Sequence, residues 1–308
     1  MQGGKVAEIA ERARPTREFR LLVGLRERIA SKSFQHGVVR VLATIIVGLG
    51  SIVILFPVAW MLSTSLKTKF GAVQMPPQWI PTHPQWHNYL DALTFNPFHI
   101  YLRNTLYYAG VGVLATLLSN SFIAYGFARL RAPGRDKIFL LVLATMMLPY
   151  PVTLIPTYIL FSKLHWLNSF KPLLVPTFFG SAYNIFLLRQ FYRGIHKEMD
   201  EAARIDGCGY FSIWWRIILP LSKPALAAVA IMDFMWRWNN FLGPLIYLDQ
   251  REKYTLSLGL QMFRAPFGGT YMHWLMAASL VTVLPCIIVF FATQRYFIQG
   301  IVITGLKG

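Results

Sequence analysis

Six apolar runs, each about long enough to cross hydrocarbon as a helix, constrain this chain more than any other feature. They cover roughly residues 38–62, 104–127, 138–161, 173–191, 225–248 and 274–297. A bilayer core of about 30 Å needs about twenty helical residues at about 1.5 Å each. Backbone groups in lipid must find their partners within the segment, so each run is expected to be a helix. The expected class is all-α: a polytopic membrane bundle of six transmembrane helices. Composition agrees, because 55% of residues are hydrophobic and only 14% are charged, whereas soluble domains carry about a quarter.

The net charge of +17 would suit nucleic acid, but the cations sit in short loops beside the apolar runs, which is the pattern of the positive-inside rule. Nine Lys/Arg precede or open the first run, ending at Arg40. Arg129, Arg131, Arg135 and Lys137 follow the second run, and Arg189, Arg193, Lys197, Arg204, Arg216 and Lys223 cluster around the loop after the fourth. The alternate loops are poorer in cations. Both termini are therefore expected in the cytoplasm. Residues 1–37 read as a cytoplasmic extension of mixed charge, helical or disordered, and residues 38–308 as the transmembrane domain. The first apolar run is too long and too late for a signal-peptide core. Residues 63–103, rich in Pro, Trp and His, read as an interfacial cap rather than a helix.

The loop at about 192–223 is the most informative polar stretch. Glu198, Asp200, Glu201, Ala202, Ala203 and Asp206 form a charged, small-residue helical turn. Gly207 and Gly209 permit positive φ and end it. Ile217, Leu219 and Pro220 then lead to the next apolar run. Ala202 and Ala203 would leave a thin face that another protein can approach, so this is expected to be a docking helix on the water side.

A second constellation lies in the fifth run: Asp233, Arg237, Trp238, Asn239 and Asn240, with Phe241 and Pro244. Charges at membrane depth are costly and should face the bundle interior or a watery path. Asp233 and Arg237 are four apart and can pair on one helix face. Two readings stand: an ion pair that fixes helix packing, or a lining of the translocation path. Trp238 and the asparagines suit sugar, by stacking and by hydrogen bonding to hydroxyls, and equally suit a helix interface. In the third run, Pro149, Pro151 and Pro156 surround Tyr150 and should kink the helix. That kink reads as a gate lining the path or as plain packing.

No metal site is expected. Cys208 and Cys286 fall on different layers, and prolines at 81 and 84 spoil the helical spacing of His83 and His87. The chain contains no phosphate-binding G-x-x-x-x-G-K-[ST], no G-x-S-x-G and no H-E-x-x-H. It is expected to be non-catalytic and to hold no cofactor itself.

Glu201-Ala202-Ala203, then Gly207, then Ile217-x-Leu219-Pro220 resembles at every spaced position the EAA signature of permease subunits of ATP-binding-cassette importers. Asn104-Thr105, Leu148-Pro149 through Ile155-Pro156, and Trp238-Asn239-x-Phe241-x-x-Pro244-Leu245 are similar to the carbohydrate-uptake branch. The end, from Gln294 to Gly308, is similar to the smaller permease subunit of maltose-type transporters. The resemblance covers about residues 38–308, and the Asp233/Arg237 pair departs from the pattern.

The resemblance implies a prokaryotic inner membrane, a cytoplasmic EAA coupling helix and a complex with a second permease subunit, an ATPase dimer and an extracytoplasmic solute-binding protein. ATP and Mg would be held by the ATPase. Glu201, Ala202, Ala203, Asp206, Gly207, Leu219 and Pro220 would couple to it, and a C-terminal tail at about 298–308, through Gly305, Lys307 and Gly308, would reach its interface. The implied cargo is a di- or oligosaccharide, with glycerol-phosphate or a polyol as the alternative. A rival of another class is an ion-coupled secondary transporter using Asp233 and Arg237 as its relay. A membrane enzyme acting on lipid-linked sugar would need a polar catalytic cluster, which the sequence lacks.

Overall fold

The computed structural model describes residues 32–264 and 271–305, and among these there are helices, turns and loops but no strand. The chain divides into two units, Met1–Trp60 and Met61–Gly308. The described part of the first unit is uninterrupted helix, belonging to α1 (Lys32–Ser65). Ile46, Val53 and Ile54 stand exposed along it, as expected of a helix that is apolar all round. Pro57 lies within the helix without ending it.

The second unit holds α2 (His87–Phe95), α3 (Phe98–Arg129), α4 (Arg135–Ala144), α5 (Tyr150–Lys163), α6 (Ala182–Gly194), α7 (Glu198–Ile205), α8 (Lys223–Trp238), α9 (Leu242–Tyr247) and α10 (Met272–Gly305). Helix α3 is the axis. Helices α6 and α8 pack along it, α8 also packs on α10, and α10 packs on α2. Two buried clusters hold the unit together. One joins Ala124, Leu188, Tyr192, Ala203, Ile213 and Val229. The other joins Phe98, Tyr101, Trp238, Phe263, Ala277 and Ala278.

Three helices are long and apolar enough to cross a membrane unbroken: Val39–Ser65, Phe98–Arg129 and Met272–Gln294. Two further pairs pass only as bent spans: Arg135–Met147 with Tyr150–Lys163 at 98°, and Tyr210–Leu221 with Lys223–Trp238 at 79°. The expected kink in the third run is thus a full break. Leu148 is extended, as a residue before proline tends to be, and Pro149 and Pro151 start α5 afresh.

The fourth run departs from the expected continuous helix. A short helical turn at Lys171–Leu174 and a 3-10 turn at Val175–Phe179 precede Gly180, whose φ is 85°. Only then does α6 begin. Pro172 and Pro176 remove backbone donors from this stretch, and α3 supplies partners for what remains. Asn120 Oδ1 accepts from the Ser181 N–H at 2.7 Å, and Ser119 Oγ donates to the Thr177 carbonyl at 3.0 Å. Irregular backbone at membrane depth is tolerated where protein satisfies it in this way. The fifth run also breaks, at Asn239–Phe241, between α8 and α9.

Residues 63–103 contain more helix than a cap of loops. Helix α2 lies there, and α3 begins at Phe98, ahead of the second apolar run. Asn88, buried on α2, donates to the Ser65 and Lys67 carbonyls, both at 2.8 Å. His87 pairs with Asp91 one turn on, at 2.9 Å. At the other end, α10 does not stop at Phe297 but continues to Gly305. Ile298, Ile301, Val302 and Ile303 prolong the apolar pattern there, and no proline interrupts it.

Candidate functional site

Helix α7 carries the Glu-Ala-Ala turn, and its C-terminus is closed by a Schellman motif. The Cys208 N–H donates to the Ala203 carbonyl at 2.9 Å, and the Gly207 N–H donates to the Arg204 carbonyl at 3.0 Å. This motif requires a left-handed residue at the position after the cap. Gly207 supplies it with φ of 80°, and a Cβ there would meet nothing. Gly207 is therefore required by the backbone turn and not by crowding.

The two alanines do not share a face, contrary to the expected thin double-alanine surface. Ala203 is buried in the bundle's own cluster with Tyr192 and Trp214. Ala202 and Glu201 are exposed. Outward beside them stand Met199 and Ile205, the latter 87% exposed. Met199, Ala202 and Ile205 are spaced three apart and line one helix face. The sequence reading passed over Met199 and Ile205, although their spacing from Ala202 was legible.

Arg129, at the end of α3, fastens this helix to the bundle. Its Nε lies 3.3 Å from Asp200 Oδ2, and its Nη2 donates to the Ile195 carbonyl at 2.8 Å. Burial pushes the Asp200 carboxyl up, outweighing the downward pull of Arg129 and Arg204 beside it. Arg204 also lies 4.3 Å from the Tyr210 ring centroid. No local pattern announces the Arg129–Asp200 pair, because its members are far apart in sequence. Downstream, Trp214–Ile218 forms one π-helical turn ahead of Leu219 and Pro220. Proline cannot donate into the ladder and crowds the carbonyl four residues back, so a widened turn before it relieves both demands. Leu219 is half-buried and Pro220 exposed.

The second constellation forms a seam between α3 and α8. Arg237 is buried; its Nε lies 2.7 Å from Asp233 Oδ2, and its Nη2 donates to Thr116 Oγ1 at 3.2 Å. Its guanidinium sits over the Tyr108 ring at 5.3 Å. Gly112 makes the seat: a Cβ there would overlap the guanidinium. Asn240 Nδ2 donates to the Tyr108 hydroxyl at 2.8 Å, and its Oδ1 accepts from the Gly243 N–H at 3.1 Å.

The structure thus brings Asp233, Arg237 and Asn240 together around Tyr108 and Thr116. Trp238 points elsewhere: it is buried in the cluster with Phe263, and its Nε1 donates to the Thr282 carbonyl of α10 at 3.0 Å. Asn239 is exposed and bonds back to the Met235 carbonyl. Tyr150 opens α5, beyond the 98° bend, and is 51% exposed. Sequence reading missed Tyr108, Gly112 and Thr116, which share one face of α3 at helical spacing but carry no signature of their own.

Gly305 is the last residue of α10. Lys307 and Gly308 lie outside the described residues.

A family model for the binding-protein-dependent transport system inner membrane component matches residues 118–303. The chain belongs to this family. The permease is 36% identical over 279 residues to the arabinooligosaccharides transport system permease protein AraQ of Bacillus subtilis, covering 89% of this chain and 98% of that one. It is 31% identical to the sn-glycerol-3-phosphate transport system permease protein UgpE of Yersinia pestis, covering 82% and 92% of the two chains. It is 30% identical to the sulfoquinovosyl glycerol transport system permease protein SmoH of Agrobacterium fabrum, covering 82% and 89%. Its fold is like that of a chain in the crystal structure of a bacterial ABC transporter involved in the import of the acidic polysaccharide alginate. That match has a TM-score of 0.76 at 24% identity and covers 87% of this chain and 98% of the other.

The permease is an inner-membrane component of an ABC importer and is not the enzyme of its complex, since ATP hydrolysis belongs to a separate subunit. The family works with a partner permease, an ATPase and a solute-binding protein.

Proposed function

We propose that this permease forms half of the membrane channel of a sugar importer, and that α7 is the lever through which a partner ATPase, holding ATP and Mg, drives it. The observation that carries the reading is α7 itself: a short helix pinned inward by Ala203 and Arg129, capped at Gly207, with Met199, Ala202 and Ile205 exposed on its outward side. Glu201 and Asp206 flank that apolar face. Closure of the ATPase dimer would move α7, and the Arg129–Asp200 pair would pass that movement to α3. The cargo proposed is a di- or oligosaccharide, supported by the arabinooligosaccharide permease among its relatives. A glycerol-phosphate or polyol cargo is the alternative, supported by the glycerol-phosphate permease.

The proposed topology keeps six crossings with both termini cytoplasmic. Helix α6 and the broken stretch before it would complete the crossing that no single helix makes. The C-terminal residues from Gly305 to Gly308 are proposed to meet the ATPase. Tyr150 and Asn239, both exposed, are the best placed of the expected path residues, while Trp238 serves packing between α8 and α10.

The test is uptake of labelled oligosaccharides and of glycerol-3-phosphate into vesicles holding the complete importer. Uptake that needs both ATP and the solute-binding protein is expected. Uptake that ignores ATP and follows a proton gradient would reject the reading in favour of ion coupling through Asp233 and Arg237. For the lever, Ile205→Glu places a charge in the apolar contact and should weaken ATPase association at least tenfold, the scale of a buried interface residue. Unchanged co-purification of the ATPase with that variant would sink the docking face.

A further inference from the structure

A cavity of about 460 Å³ lies beside the Arg129 anchor, lined by Phe127, Ala128, Arg129, Arg135, Asp136, Arg189, Arg193 and Lys197. Five of these are cations and one is a carboxylate. Asp136 is already engaged twice, 3.1 Å from Arg135 Nη2 and 3.2 Å from Arg189 Nη2. Arg193 and Lys197 are exposed and form no ion pair among the described residues. Arg129, with its side chain only 3% exposed, has an Nη1 with no hydrogen-bond partner. A buried guanidinium nitrogen without a partner calls for an explanation, and several like charges around one hollow focus a field that attracts an anion.

We infer that this cavity binds the phosphate of an anionic phospholipid headgroup. Phosphate oxygens match the forked donors of arginine, and basic pockets between membrane helices take such headgroups. The surroundings favour lipid over free phosphate. Phe127 and Ala128 form an apolar wall, and α4 leads away from Arg135 with Ile138, Leu140 and Leu141 all more than half exposed, an apolar track that suits an acyl chain and does nothing for a free ion. Arg129 joins the cavity to Asp200 on α7, so a bound headgroup would brace the attachment of the lever. The site stands apart from the sugar-import reading, because lipid retention is measured without transport.

The test uses the complete importer in nanodiscs of phosphatidylcholine doped with phosphatidylglycerol, with retained lipid counted by native mass spectrometry. The wild type should retain phosphatidylglycerol selectively. Arg193→Gln with Lys197→Gln should lose roughly thirtyfold in affinity, the worth of two interfacial cations, while Lys163→Gln with Lys171→Gln, outside the cavity, should retain it. If the first pair does not assemble, Arg193→Gln alone is expected to lose about fivefold, and Arg193→Lys should largely restore binding. Equal retention in wild type and the cavity variant, or equal loss in both double variants, overturns the site. Displacement of the lipid by millimolar inorganic phosphate would assign the cavity to free anion and overturn the lipid assignment.

Discussion

Arg237→Leu is expected to lower the stability of the permease by about 3–5 kcal/mol, the cost of leaving one partner of a buried ion pair uncompensated. The abandoned group is Asp233, which would lose its 2.7 Å contact with Arg237. Thr116 would lose a donor as well, and the seat over Gly112 would fill with a side chain of different shape. The measurement is thermal unfolding of the detergent-solubilised complex; an unchanged midpoint would show that the seam does not hold α8 to α3. Replacing both charges, Asp233→Leu with Arg237→Leu, should recover much of the loss, since well-packed apolar pairs often equal buried ion pairs. The double variant also separates the two roles left open by the sequence. Restored stability with normal uptake assigns the pair to packing, whereas restored stability without uptake assigns it to the translocation path.

Gly207→Pro is expected to abolish uptake while the assembled complex still hydrolyses ATP. Proline holds φ near −65°, whereas residue 207 sits at 80°. It would also remove the N–H that donates to the Arg204 carbonyl. Proline cannot reach the left-handed conformation, so the turn must rearrange and its capping hydrogen bonds are lost, at a cost of about 3 kcal/mol or more. The damage is expected to stay within the turn, because a Cβ at 207 meets no neighbour and the buried contacts of the flanking helices do not involve residue 207. Gly207→Ala retains the N–H and should cost only about 1–2 kcal/mol, with partial uptake. Normal uptake by the proline variant would end the claim that α7 transmits force.

The EAA-like turn was legible because its chemistry is local. Acidic residues open α7, glycine closes it, and each requirement concerns neighbours within a few positions. The pairing of Asp233 with Arg237 was legible for the same reason, as a four-residue helical spacing. The facing of Ala202 and Ala203 was not. Which side of an eight-residue helix turns inward depends on Tyr192 and Trp214, supplied by other elements. The apolar runs were equally ambiguous about continuity. Hydropathy counts residues and does not register that Ser119 and Asn120 of α3 can satisfy a broken backbone at 177–181.

The sequence by itself determined that this chain is a helical membrane protein with a capped polar helix between apolar runs. Lipid forbids unpaired backbone, and glycine and proline restrict turns residue by residue. Only the tertiary structure decided which runs break, which alanine is buried, and that Arg237 rests on Gly112 while Arg129 reaches Asp200. Those outcomes depend on contacts between residues on different elements, where the energy lies in the fit between surfaces rather than in the preference of any one residue.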